Sequence, residues 1–182
     1  MGKKLDSITP KLKGFIEKQK MFFVGTAANE GWVNVSPKGM DSFRVIDGNK
    51  VVWLNLTGSG NETAAHLLRH NRMTIMFCAF EGRPLILRLY GTAEIYHPRD
   101  TEFHQYVTLF EENAGARQII EMDVDLVQTS CGMSVPFMDF KAERTLLNDW
   151  ANHKGREEMK VYWRERNMES IDGFETKIVD NQ

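Results

Sequence analysis

The chain has 182 residues, 42% of them hydrophobic, and a formal net charge of −2. That length fits one domain, or one domain with an extension, and the apolar share suffices for a core. The slightly acidic balance argues against a nucleic-acid binder, which carries a basic stripe, and no apolar run approaches the ~18 residues of a membrane span.

The start, Met1-Gly2-Lys3-Lys4-Leu5-Asp6, is charged and lacks the apolar stretch of a signal peptide. Cys78 and Cys131 are far apart and have no metal-ligand spacing. A reduced, cytoplasmic protein is expected.

Residues 5–20 read as an amphipathic helix. Pro10 suits a first turn, Thr9 is a possible cap, and Leu12, Phe15 and Ile16 share a face. Met21–Ala27 is a short apolar run fit for a buried strand, Asn29-Glu30-Gly31 a turn, and Trp32–Ser36 an alternating strand. Pro37-Lys38-Gly39 breaks it, and Phe43–Ile46 resumes. Asp47-Gly48-Asn49 is a hairpin signal leading into the strand Lys50–Leu56. A turn over 57–63 and a helix over 64–69 follow. Met73–Phe80 and Leu85–Tyr96 are further strands, and Gly91 inside the second marks a bulge or bend.

Residues 99–120 read as helix, with Phe103, Tyr106, Val107 and Phe110 on one face. Ile119–Val127 alternates as a last strand. Residues 143–167 are again helical, divided near Lys154-Gly155, and Ser170–Phe174 is turn-like. About six strands at short spacing, with one helix inserted, favour a closed or partly closed antiparallel barrel.

The turn Leu56-Thr57-Gly58-Ser59-Gly60-Asn61-Glu62-Thr63 is the centre of interest. Glycines allow close approach of a ligand, and the free N–H groups at a helix start favour an anion, phosphate above all. The plainer reading is a capping box, in which Ser59 and Glu62 satisfy those N–H groups themselves. Neither of the common glycine-rich nucleotide loops is present.

Three segments in register resemble the pyridoxamine 5′-phosphate oxidase-like family of FMN-binding split barrels. They are Asn34–Gly39, Trp53–Thr63 running into Ala65-His66-Leu67, and Leu87–Ala93 with its Gly-x-Ala ending. The match covers about residues 15–97, with a later strand near 119–128. The resemblance implies a mainly β fold: a six-stranded antiparallel split barrel with C-terminal helices. It makes 1–182 one FMN-binding split-barrel domain, the barrel about 20–128 and a helical extension about 129–182. It also implies a homodimer with FMN at the interface, and a flavin-dependent oxidoreductase of unassigned substrate. A non-catalytic flavin- or haem-binding module and a deazaflavin-dependent reductase are the alternatives.

By the same resemblance the cofactor residues are Val35, Ser36, Pro37, Lys38, Asn55, Thr57, Gly58, Ser59, Asn61, Glu62, Thr63 and Arg88. The 36–38 strand would lie beside the flavin ring, and 57–63 would hold the ribityl chain and phosphate. The oxidases carry a basic cluster for that phosphate, whereas Gly58-Ser59-Gly60-Asn61 has no cation. Lys38, Arg72 and Arg88 are the candidates to supply one. The oxidases' C-terminal Arg-x-His-type substrate motif is absent, so pyridoxamine phosphate is not carried over as substrate. No catalytic acid or base stands out.

His66 reads as a packing residue, Cys131 as a small loop residue, and Trp150, Tyr162 and Trp163 as core or dimer contacts. The five histidines form no recognisable metal set. The extension is expected to be a lid over the flavin or added dimer surface.

Overall fold

The computed structural model describes residues 2–179. Met1 and residues 180–182, the ends of the expected domain, lie outside the described residues. The elements run β1 (Lys3–Leu5), α1 (Pro10–Ile16), β2 (Phe22–Thr26), β3 (Asn34–Lys38), β4 (Phe43–Val45), β5 (Lys50–Leu56), α2 (Glu62–Arg69), β6 (Arg72–Cys78), β7 (Ile86–Tyr96), α3 (Thr101–Val107), β8 (Ala116–Ser130) and α4 (Leu146–Arg166).

The strands form one antiparallel sheet in the order β3-β2-β6-β7-β8-β5-β4, with β1 added against β8. The curled, mainly β architecture is that of a split barrel. Among the described residues it has eight strands, two more than the expected six. Two of the strands are short. β4 has only three residues, at the expected 43–46 run, and β1 has three, of which only Leu5 falls in the helix expected over 5–20. β1 also lies before residue 20, so the sheet reaches beyond the expected barrel boundary.

β5 shows how the barrel is filled. Val51 and Trp53 point into the main core with Phe22, Ile75, Phe77, Leu87, Leu89 and Met122. Val52 and Leu54 point to the other face, under α3, with Phe103 and Ile119. Both faces of this strand are covered, which is why it reads as a continuous apolar run. α1 closes one end through Leu12 and Ile16, and Thr9 caps it by accepting from Leu12 N–H.

Three expected boundaries moved furthest. The helix drawn over 5–20 is only Pro10–Ile16, where Thr9 caps it and Pro10 opens its first turn. The strand drawn over 32–36 lies at 34–38, leaving Trp32 and Val33 in the loop before it. The helix drawn over 99–120 stops at Val107, and residues 116–120 belong to β8. Phe103, Tyr106, Val107 and Phe110 do form one apolar group, so the periodicity was real over its first half. Pairing with both β5 and β7 then holds the later residues extended. Gly155 interrupts α4 with φ 72° and ψ 171°, at the expected division. β7 and β8 shift register at Tyr90/Gly91, the bulge that Gly91 signals. A side chain at Gly91 would run into the Asp123 carbonyl.

Candidate functional site

β3 alternates. Asn34, Ser36 and Lys38 turn inward, while Val35 and Pro37 turn out. The inward row faces the turn between β5 and α2, and between them lies a cavity of about 280 Å³. Its walls are Ser36 and Lys38 from β3, Asn55 from β5, Gly58 through Thr63 from the turn and α2, and Arg117 from β8.

Eight of the twelve sequence-selected residues therefore meet here: Ser36, Lys38, Asn55, Gly58, Ser59, Asn61, Glu62 and Thr63. Four do not line it. Val35 and Pro37 are on the outer face of β3. Thr57 is buried behind the wall, donating to Gly115 C=O and accepting from Trp163 Nε1. Arg88 lies on β7 and donates to Ser130 Oγ at 3.1 Å. Arg72, a candidate cation, is exposed at the start of β6.

The cation that the turn lacks comes from Arg117. β5 and β8 shift register where Asn55 pairs with Gln118 and Leu56 with Ala116, so Arg117 is the extra residue of a bulge. A bulge re-aims a side chain, and this guanidinium enters the cavity wall. Nη1 donates to Gly60 C=O at 2.9 Å and to Asn167 Oδ1 at 2.8 Å, and Nη2 donates to Asn55 Oδ1 at 3.3 Å. Nε is buried with no partner. Among the described residues no carboxylate pairs with Arg117. Burial pulls its pKa down to about 9. Lys38 is pulled down to about 8, by burial first and then by the Arg117 charge. Its ammonium rests 4.9 Å from the Trp53 ring centroid.

The capping box is not formed. Asn61, not Ser59, holds the N-cap position of α2, and its side chain makes no cap hydrogen bond. Both polar atoms of the Asn61 amide are buried without partners. Glu62 is used elsewhere, accepting from Ile171 N–H at 3.0 Å. The N–H groups of a first helical turn have no intrahelical acceptor, so the helix start, Asn61 and two cations converge on one small space.

The C-terminal segment braces this space. Trp163 Nε1 donates to Thr57 Oγ1 at 2.8 Å, and Asn167 Nδ2 donates to Gly58 C=O at 3.1 Å. Asn167 also accepts from Arg117, so α4 and its end hold both the turn and the guanidinium.

Residues 8–131, more than half of the chain, match the family model described as pyridoxamine 5′-phosphate oxidase. The chain is similar to the pyridoxamine 5′-phosphate oxidase family protein ustO of Aspergillus flavus, 34% identical over 93% of this chain and 75% of that protein. Among solved structures it is similar to HupZ of group A Streptococcus, 22% identical, covering 65% of this chain and 91% of that one, with a TM-score of 0.53. It is also similar to a protein of the same family from Lactobacillus delbrueckii, 17% identical over 68% of this chain and 94% of that one, with a TM-score of 0.55. The two structures share the fold, and the sequence matches go further: this chain belongs to the pyridoxamine 5′-phosphate oxidase family.

Proposed function

We propose that the chain binds FMN, with the phosphate in the cavity between β3 and the start of α2, and serves as a flavin-dependent oxidoreductase. One observation carries this reading. Arg117 is buried beside Lys38 and, among the described residues, no carboxylate pairs with it and no partner meets the Asn61 amide in the same wall. Burying an unpaired charge is costly. A phosphate dianion would supply the missing charge and accept from Asn61, Ser59, Thr63 and the N–H groups of α2. The residues present therefore fit the phosphate.

At about 280 Å³ the cavity is slightly smaller than the roughly 300–1,000 Å³ of a typical small-molecule site. It suits a phosphate and part of a ribityl chain, so the rest of the cofactor would extend out of it. Trp32 and Val35 are exposed nearby, at 73% and 66%. Apolar exposure of that kind supports a homodimer in which a second subunit covers the ring. The cofactor would supply hydride or electron transfer, and this chain would bind and orient it. No helix in the described residues is long and apolar enough to cross a membrane. Both cysteines are free, which favours a reducing compartment and so the cytoplasm.

The test is a visible spectrum of the purified protein, with mass spectrometry of what heat releases. Flavin bands and the FMN mass are expected. A haem or deazaflavin in its place, or a colourless protein that ignores added FMN, would overturn the reading.

A further inference from the structure

The geometry points to a second site: Glu62, His66 and Asp172 bind a divalent first-row transition-metal cation, of the Zn²⁺ class. The inference rests on this cluster alone and not on the flavin reading.

Glu62 and His66 are one turn apart on α2 and so share a face. Asp172 arrives from the turn beyond α4. One ligand atom from each residue lies within 4.8 Å of the others. His66 is 1% exposed, and its Nε2 is buried with no hydrogen-bond partner. That nitrogen sits 3.8 Å from Asp172 Oδ2, beyond hydrogen-bond range. A buried ring nitrogen with no hydrogen bond, grouped with two carboxylates, is a free donor that a metal cation could take.

The surroundings hold each ligand in place. His66 Nδ1 lies 3.1 Å from Thr26 Oγ1, which also accepts from Asn34 Nδ2 at 3.2 Å. Fixing one ring nitrogen in this way orients the other for a metal. Trp32 N–H donates to the Asp172 carboxylate at 3.2 and 3.3 Å, and Ile171 N–H donates to Glu62. Gly31 has φ +85°, and a Cβ there would lie 2.6 Å from Asp172 Cγ. Glycine is therefore required where the carboxylate crosses the chain.

One imidazole and two carboxylates make a borderline donor set, suited to Zn²⁺ with water at the remaining position. Ligand bonds of about 2.0–2.1 Å place ligand atoms roughly 3.3 Å apart around a tetrahedral ion. Asp172 must then close on His66 by about half an ångström, and the half-buried Glu62 must swing in by more. The five histidines gave no metal set in the sequence because this one takes a single histidine and two carboxylates, one of them from the far end of the chain. Its effect would be to fasten the C-terminal tail to the start of α2, where Glu62 also lines the phosphate cavity.

The test is titration of Zn²⁺ into the tag-free full chain, stripped with EDTA, followed by calorimetry, with metal content measured after gel filtration. About one Zn²⁺ per chain and a raised Tm are expected. Asp172→Asn keeps an oxygen for Trp32 N–H, and Glu62→Gln changes only a half-buried side chain, so both should fold. Each should weaken binding by at least the roughly 10–100-fold that outer-shell partners alone command. No uptake by folded wild-type protein, or uptake unchanged in both variants, would overturn the site.

Discussion

Arg117 has three oxygen acceptors and, among the described residues, no anionic partner, and the affinity of the proposed site should follow it. A hydrogen bond to a charged group contributes about 1.5–3 kcal/mol, so Arg117→Ala should weaken FMN binding roughly 10–150-fold, read by fluorescence titration. Unchanged affinity would remove Arg117 from the site. Lys38 gives the pH dependence. With no ligand its pKa is about 8, so FMN affinity should be level from about pH 6.5, where the phosphate is largely a dianion, and fall as pH rises through about 8. Stability has the opposite sign. The folded value lies below the ordinary 10.5, so between the two the unfolded chain binds more protons and the ligand-free protein gains stability as pH rises. Urea melts from pH 7 to 10 should show that gain in the wild type and less of it in Lys38→Met.

At the scale of elements, strands with local signals were legible and long-range pairings were not. Phe22–Thr26 and Lys50–Leu56 emerge close to where their apolar runs place them. The start of β8 was hidden because residues 116–120 follow an amphipathic stretch, and only pairing with β5 and β7 makes them extended. Arg117 went unseen for the same reason: its burial depends on a bulge set by that pairing. The glycines and amides of the 57–63 turn marked a place where residues do line a small polar cavity. The competing cap failed because α2 starts at Glu62 with Asn61 as its N-cap, which leaves Ser59 outside the helix and Glu62 free to accept from Ile171 N–H. Bulges can be tested directly. Gly91→Ala puts a Cβ into the Asp123 carbonyl and should cost about 1–3 kcal/mol or more in a urea melt. Full stability would mean that the β7–β8 bulge relaxes freely.

For the whole molecule, the extension has a definite task. Trp163 and Asn167 tie the end of α4 to the turn and to Arg117. Removing residues 143–182 should therefore leave a barrel whose FMN affinity is lost, measured on soluble truncated protein. Retained affinity would reduce the extension to an accessory surface. The proposed homodimer would have exposed apolar residues to cover on the loop before β3 and on the segment from Met133 to Leu146. Light scattering should report a dimer.

In the proposed site a phosphate is held by Arg117, Lys38 and the start of α2. Calorimetric titration of the stripped protein with FMN and with riboflavin, which differ only in that phosphate, tests it most directly. FMN binding at least about 100-fold tighter than riboflavin is predicted, since two charged partners and several donors address the phosphate. Equal affinities, or no binding of either, would contradict it.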